Sequence, residues 1–323
     1  MSALSIHLPG SGCHKAGSGF LWRGWRISTS VIGEPRLTKL NIQEELAECE
    51  SILFRAQRLL VITGAGISAE SGMPTYRGPQ GEYTKNPGLP VVMSAGEFAK
   101  DRHAVWERID EMRINAAAAD PNEAHRVLAK WEREERFAGF LIATQNIDGL
   151  HQKAGSSRVS QLHGSLWQMA SPREMDFAED PQFSEDVEFM AYPEMRDEIL
   201  QRWSEENQQQ IWEDRTVPFP RLPPDSNPYV RPNILLYEES YGSRLIWVED
   251  FIRGGVDVVL VIGCSGGATI LDRLLRLCRE ANPGCGLINV NPHEDCIEMP
   301  HHYLPLPASV AMAAMDSGLG GRH

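Results

Sequence analysis

The chain is short of the features that would take it out of the ordinary globular class. No apolar run approaches the roughly 20 residues of a membrane span. The longest, Val256 to Ile262, is already broken by Asp257. The six cysteines (13, 49, 264, 278, 285 and 296) form no CxxC pair, and residues 50 to 263 contain none. That argues against a disulfide framework and for reduced packing thiols in an intracellular protein. Basic residues are outnumbered, 31 against 44 acids, for a net charge of −13. Phosphate-backbone contacts need clustered Lys and Arg, so nucleic acid is not expected as a partner, and neither is a membrane. The first 33 residues contain no acid, three bases and six serines. Two readings of them stay open: a disordered leader, or an organelle transit peptide, which is acid-poor and rich in Ser and Arg. The chain is accordingly expected in the cytoplasm or nucleus, or in the mitochondrion on the second reading.

What is present reads as a folded enzyme-sized protein. At 323 residues, 42% hydrophobic and 23% charged, the chain has room for two ordinary domains and can bury roughly three quarters of its extended surface. From Leu40 to Leu53, apolar residues recur at helical spacing between acids, which predicts an amphipathic helix. Arg58-Leu-Leu-Val-Ile-Thr63 is a short β-rich run feeding Gly64-Ala65-Gly66, the strand–glycine turn–helix opening of a doubly wound α/β domain. A proline-initiated helix over 121–131, a strand over 140–144, a strand over 234–237 and a helix over 243–252 are expected next. The run 256–263 is the clearest strand; a second glycine turn, a helix over 270–280 introduced by Thr269, and a last strand over 286–291 follow. The fold class is α/β: a Rossmann-like parallel sheet over 40–163 and 231–308, interrupted by a smaller, partly helical insert over 164–230. That insert holds 15 acids and five arginines, so it contributes −10 of the net charge. Residues 309–323 are small and glycine-rich and read as a flexible tail.

Two strand–glycine turn–helix units on one sheet offer N–H groups and helix N-termini to an anion. In Gly64-Ala-Gly-Ile-Ser-Ala69 the glycines would let a pyrophosphate approach the backbone, and the small Ala69 would permit close helix packing. No acid ends a following strand about 20 residues later, so the dehydrogenase pattern is unmet. Other groups must complete the site. Arg77 suits a phosphate; Gln145, Asn146 and Asp148 set two amides and a carboxylate at a strand end, suited to ribose hydroxyls and a carboxamide. His163 is titratable and lies between expected strands. His125 reads as a helix-capping residue, and Ser68 and Ser71 as hydrogen-bonders at a helix N-terminus, with no base beside them in sequence.

These blocks, in this order, resemble the sirtuin family. Residues 64–78 look like its GAGxSxxSGIPDFRG signature, Thr144-Gln-Asn-Ile-Asp148 its TQNID, and Leu162-His-Gly164 its histidine loop. Pro121-Asn-Glu-Ala-His125 is similar to its PNxxH helix start, Gly263-Cys-Ser265 to its GTS turn, and Leu287-Ile-Asn289 to the strand whose asparagine meets the adenosine ribose. The resemblance implies NAD as cosubstrate and an acyl-lysine protein or peptide as the partner, with nicotinamide cleaved from NAD. It implies His163 as general base, with Asn146 and Asp148 completing the catalytic set. It also implies that Gly64, Ala65, Gly66, Ser68, Tyr76, Arg77, Gln145, Gly263, Ser265 and Asn289 line the dinucleotide.

The departures are specific. The family usually carries a four-cysteine zinc ribbon after the histidine loop, but residues 164–230 contain neither Cys nor His. Four S or N donors cannot be assembled there, so no metal is expected, and stoichiometric zinc by elemental analysis would overturn that. Thr75 replaces the carboxylate before the arginine, and Glu238 stands where the glycine of the peptide-pairing loop is expected. The acidic groove would draw basic peptides and disfavour an anionic acyl group. Deacylation is therefore the first expectation. ADP-ribosyl transfer or NAD hydrolysis is the alternative, and a catalytically silent NAD sensor is the third.

Overall fold

A computed structural model describes residues 39–77, 81–170, 231–265, 269–292 and 297–320. Residues 1–38 and most of the acidic insert, 171–230, on which the zinc-ribbon expectation falls, lie outside these residues. Six strands form one parallel sheet: β1 (Arg58–Thr63), β2 (Gly139–Thr144), β3 (Val159–Gln161), β6 (Val258–Ile262), β7 (Gly286–Val290) and β8 (His302–Leu304). Their order is β3-β2-β1-β6-β7-β8. β1, β2 and β6 are apolar at nearly every position because both faces of the sheet are covered. One face packs on α1 (Lys39–Arg55), α6 (Glu123–Arg133) and α10 (Ala308–Gly320) through Leu53, Leu128, Trp131 and Met312. The other packs on α8 (Ile246–Arg253) and α9 (Thr269–Ala281) through Val248, Ile252, Leu271 and Leu274.

The remaining strands, β4 (Gly164–Ala170) and β5 (Arg231–Ile234), form an antiparallel ribbon. Leu166, Trp167 and Ile234 of this ribbon pack on Leu89 of α3 (Leu89–Val92), Phe98 of α4 (Ala95–Lys100), and Val105 and Ile109 of α5 (Arg102–Ala118), in a core separate from the sheet's. The described start of the insert, 164–170, thus belongs with β5 to a small lobe shared with residues 89–118. Arg113 of α5 is fully buried and holds the ribbon by donating from Nε to the Leu166 carbonyl at 2.7 Å.

Several expectations need correction. Residues 309–320 are not a flexible tail: α10 buries Ala311, Met312, Met315 and Leu319 against α1 and α6. Its alanines and glycines let it lie close to its neighbours, and that packing outweighs weak propensity. The sheet does not end at β7, because β8 pairs beyond it. Pro121 does not start α6; Asn122 is the N-cap, its Oδ1 accepting from Ala124 N at 3.0 Å. The strand expected over 234–237 ends at Ile234, and Tyr237 forms a lone bridge to Ser94 instead. The first glycine turn leads into a short 3₁₀ helix, Ala65–Ser71, and Ala69 is exposed, so it packs no helix.

Candidate functional site

The sheet order puts β1 beside β6, with β2 and β3 on one side and β7 and β8 on the other. The crevice outside the carboxyl ends at such a switch point is where α/β sheets bind ligands. Gly64–Ala65, Gln145–Asp148, Gly263–Ser265 and Asn291 leave the ends of β1, β2, β6 and β7 there.

The two glycine turns are locked into one another. Gly64 N donates to Ile262 O at 3.0 Å, Gly66 N to Gly263 O at 2.9 Å and Ile67 N to Gly64 O at 3.1 Å. A Cβ on Gly66 would lie 2.6 Å from Gly263 Cα, and one on Gly263 (φ +62°) 2.3 Å from Ile67 N. Gly64 and Gly66 are therefore required by the neighbouring turn, and their own N–H groups are paired with Ile262 O and Gly263 O. Beside them Ala65 is part-exposed and Ser265 exposed at the crevice.

Behind the turns lies a buried polar network. Ser68, 1% exposed, donates to Asp148 Oδ2 at 2.8 Å and accepts from Asn146 Nδ2 at 3.1 Å. Asp148 Oδ1 accepts from Leu150 N at 2.9 Å, so it also caps the turn. Burial pushes the Asp148 carboxyl above the usual carboxylate range. Asn146 N donates to Thr144 Oγ1, which also accepts from Thr63 Oγ1 at 2.8 Å, and His151 Nε2 lies 3.0 Å from Thr63 Oγ1. His125 braces the cap rather than forming it: Nδ1 meets Asn122 Oδ1 at 3.1 Å, and Nε2 lies 3.5 Å from Ser68 Oγ. Burial lowers the proton affinity of both histidines, that of His151 to about 4.

His163 leaves β3 toward the same edge. Its ring is hydrogen-bonded by the Gln145 main chain and, at 2.9 Å from Nε2, by the Tyr241 hydroxyl. Burial holds the imidazole down at about 4, so it is neutral at pH 7. Gly164 follows because at φ +80° a Cβ would fall 1.9 Å from Asn233 O. The Gln145–Asp148 loop is tied to the small lobe, with Trp167 Nε1 donating to Asp148 O at 2.7 Å and Leu166 N to Ile147 O at 3.0 Å. Gln145 Nε2 lies 3.4 Å from the buried Cys264 Sγ.

The structure thus gathers Ala65, Ser68, Gln145, Asn146, Asp148, His163, Gly263 and Ser265 at one edge. Tyr76 packs against the small lobe, its ring 5.5 Å from that of Tyr83, and Arg77 is exposed with its guanidinium 5.8 Å from the same Tyr83 ring. Burial, then Tyr83 and Asp148, push the Tyr76 phenol up. Asn289 lies inside β7, paired in register with Val261 and Tyr303, and is 2% exposed. The asparagine at the edge is Asn291, whose Nδ2 donates to Cys264 O at 2.8 Å. Sequence reasoning missed Asn291, Thr63, Thr144, His151 and Tyr241. The one available signal was that β1 and β2 both end in threonine.

Comparisons with known proteins agree with this architecture. Residues 64–269 match the Sir2 family. An NAD-dependent protein deacylase of Aquifex aeolicus (strain VF5) is 32% identical over 240 residues, 73% of this chain and 84% of that protein. One of the same description from Aeropyrum pernix is 30% identical over 252 residues, 77% of this chain and 86% of that protein. A solved Sir2 enzyme superposes with a TM-score of 0.64 at 26% identity, covering 87% of this chain and all of that one. A Sir2 complex with a deacetylated p53 peptide and 3′-O-acetyl ADP-ribose gives 0.65 at 25% identity, covering 85% and 98%. With the glycine turns, the Gln145–Asp148 loop and the His163 loop all inside the matched span, the chain belongs to the Sir2 family.

Proposed function

We propose that this protein is an NAD-dependent protein-lysine deacylase in which His163 is the general base and Asn146 and Asp148 hold the nicotinamide end of the cosubstrate. The observation that carries this reading is the placement of a neutral histidine beside a buried amide–carboxylate pair at one strand edge. The donor set fits NAD: amides at Gln145, Asn146 and Asn291, a buried carboxyl at Asp148, and two close-packed turns whose outer residues, Ala65 and Ser265, face the crevice. Bound NAD supplies an electrophilic ribose carbon as its nicotinamide departs.

The chain's own residues do the rest. Ser68 fixes the rotamers of Asn146 and Asp148, so that a carboxamide meets preset partners. Asp148, held by donors from Ser68 Oγ and Leu150 N, presents a fixed carboxyl to an amide. His163, uncharged at neutral pH, can take a proton from a ribose hydroxyl. Gln145 and Asn291 are assigned to ribose hydroxyls, Ala65 and Ser265 to phosphate, and Arg77 and Tyr76 to the open side of the crevice. The substrate is an acyl-lysine of a protein or peptide. The net charge of −13 supports neither nucleic acid nor a membrane as a further partner, and no helix among the described residues is long and apolar enough to cross one. The cytoplasm or nucleus is the proposed location, the mitochondrion the alternative.

One observation favours a second reading, ADP-ribosyl transfer or NAD hydrolysis. The Tyr237 main chain is already paired with residues 93–95, and the Glu238 carboxylate accepts from Gly96 N at 3.1 Å. The loop expected to receive a peptide as a strand is therefore partly engaged. Incubation with NAD and an acetyl-lysine peptide separates the two. Nicotinamide release that needs peptide and yields O-acyl-ADP-ribose supports deacylation. Release without peptide, or label on protein, overturns it.

A further inference from the structure

The loop that presents Gln145, Asn146 and Asp148 is gripped from beneath by three side chains that are not among the groups assigned to NAD. Thr63 ends β1, Thr144 ends β2, and His151 lies in the helical turn Leu150–Lys153; all three are buried. Thr63 and Thr144 are partners in the strand register, and their hydroxyl oxygens lie 2.8 Å apart. His151 Nε2 lies 3.0 Å from Thr63 Oγ1, and the His151 ring packs edge-on to that of His125 with centroids 4.9 Å apart. At the other end of this chain of contacts, Asn146 N donates to Thr144 Oγ1 at 3.0 Å.

That bond falls where the strand ladder stops. Gln145 N still finds a strand carbonyl, Thr63 O, at 2.9 Å; the next N–H along the chain takes a side-chain oxygen instead. A hydroxyl oxygen has one hydrogen and two lone pairs, so Thr144 can accept from Asn146 whichever threonine donates to the other. If Thr63 donates to Thr144, it accepts from the imidazole; if it accepts from Thr144, it donates to the imidazole. The grip therefore holds for either tautomer of His151. The Asn146 side chain is fixed separately, Nδ2 donating to Ser68 Oγ at 3.1 Å.

We propose that Thr144, braced by Thr63 and His151, is a positioning residue for the nicotinamide end of NAD. Its hydroxyl fixes the Asn146 main chain as Ser68 fixes the Asn146 side chain. This rests on the reading that Asn146 and Asp148 hold the nicotinamide. Ala65 and Ser265 lie on the interlocked glycine turns, and Asn291 is bonded to Cys264 O. The ADP-ribose part of the dinucleotide thus meets groups that do not depend on Thr144.

Calorimetric titration of the full chain with NAD and, separately, with ADP-ribose reads the nicotinamide contribution as a ratio of affinities. Thr144→Val keeps the side-chain shape and removes the hydroxyl. The NAD-to-ADP-ribose ratio should fall by about three- to tenfold, the equivalent of one hydrogen bond, with ADP-ribose affinity unchanged. Thr144→Ser keeps the oxygen and should restore the ratio. An unchanged ratio in Thr144→Val, a parallel loss of ADP-ribose affinity, or no rescue by Thr144→Ser overturns the proposal. Asn146→Ala keeps the two ideas apart: if its ratio equals that of wild type, the nicotinamide assignment fails whatever Thr144→Val shows. If Thr144→Val does not fold, amide hydrogen exchange of the wild-type chain decides. The Asn146 N–H should then exchange no faster than that of Gln145, and exchange at the rate of an exposed loop overturns the proposal.

Discussion

Removing α10 should cost the protein its fold and, with it, the cosubstrate site. Ala311, Met312 and Met315 are fully buried and Leu319 is 1% exposed. Burying three such large side chains contributes about 5–9 kcal/mol at roughly 1.5–3 kcal/mol each, against a total of about 5–15 kcal/mol for a typical domain. Truncation also removes Asp316, which accepts from Lys130 Nζ at 2.8 Å and from Trp131 Nε1 at 2.9 Å. That strands an indole N–H on a residue only 1% exposed. The helix reaches the site as well: Glu70, next to the first glycine turn, accepts from Ser309 N at 2.9 Å and Ser309 Oγ at 2.5 Å. A chain ending at Pro307 is therefore expected to show no cooperative thermal transition by circular dichroism and no NAD binding by calorimetry. Met312→Ala is the graded version, expected to lose about 2–5 kcal/mol in chemical denaturation. A truncated chain that melts cooperatively within a few degrees of the full one would show that the helix is dispensable and refute the reasoning.

Three other outcomes follow from the geometry. Gly263→Ala forces a Cβ to within 2.3 Å of Ile67 N at a positive φ, so the glycine turns must separate. NAD binding should fall at least tenfold, and unchanged affinity would refute the interlock. His151 is buried with Nδ1 lacking a hydrogen-bond partner among the described residues, and its proton affinity is lowered to about 4. The unfolded chain therefore binds the proton first, and stability is lost as pH falls from about 6.5 toward 4, by about 3 kcal/mol for this residue alone. His163 adds in the same direction and Asp148 opposes; denaturation curves that coincide at pH 7 and pH 5 would exclude this balance. Glu238 sits at φ +78° with its carboxylate on Gly96 N. In Glu238→Gly, relief of about 1–2 kcal/mol of left-handed strain is offset by the lost hydrogen bond and the freer unfolded chain. The melting temperature should barely move, while KM for lysine- and arginine-flanked peptides rises; an unaltered peptide preference would remove Glu238 from substrate selection.

The sheet was legible where burial on both faces leaves a pattern that only a covered strand produces. β1, β2, β6 and β7 read directly as apolar runs closed by glycine or a polar edge. The sheet edge that carries chemistry followed from those runs, since Gln145–Asp148 and Gly263–Ser265 begin where they stop. β8 and α10 were not legible. A three-residue edge strand has too few positions to show alternation, and a helix of Ala, Met, Ser and Gly differs little in composition from a loose tail.

What the linear order of residues determined here is the strand set, the two glycine turns, and the identity of the amides, carboxyl and imidazole at the sheet's edge. All of these depend on local pattern or on residue chemistry. Tertiary structure alone decided that the glycines of the two turns serve each other, that Asn291 ties the end of β7 to the second glycine turn, and that Tyr241 meets His163. Each of those is a contact between segments far apart in the chain, set by strand register and by how closely two backbones can approach.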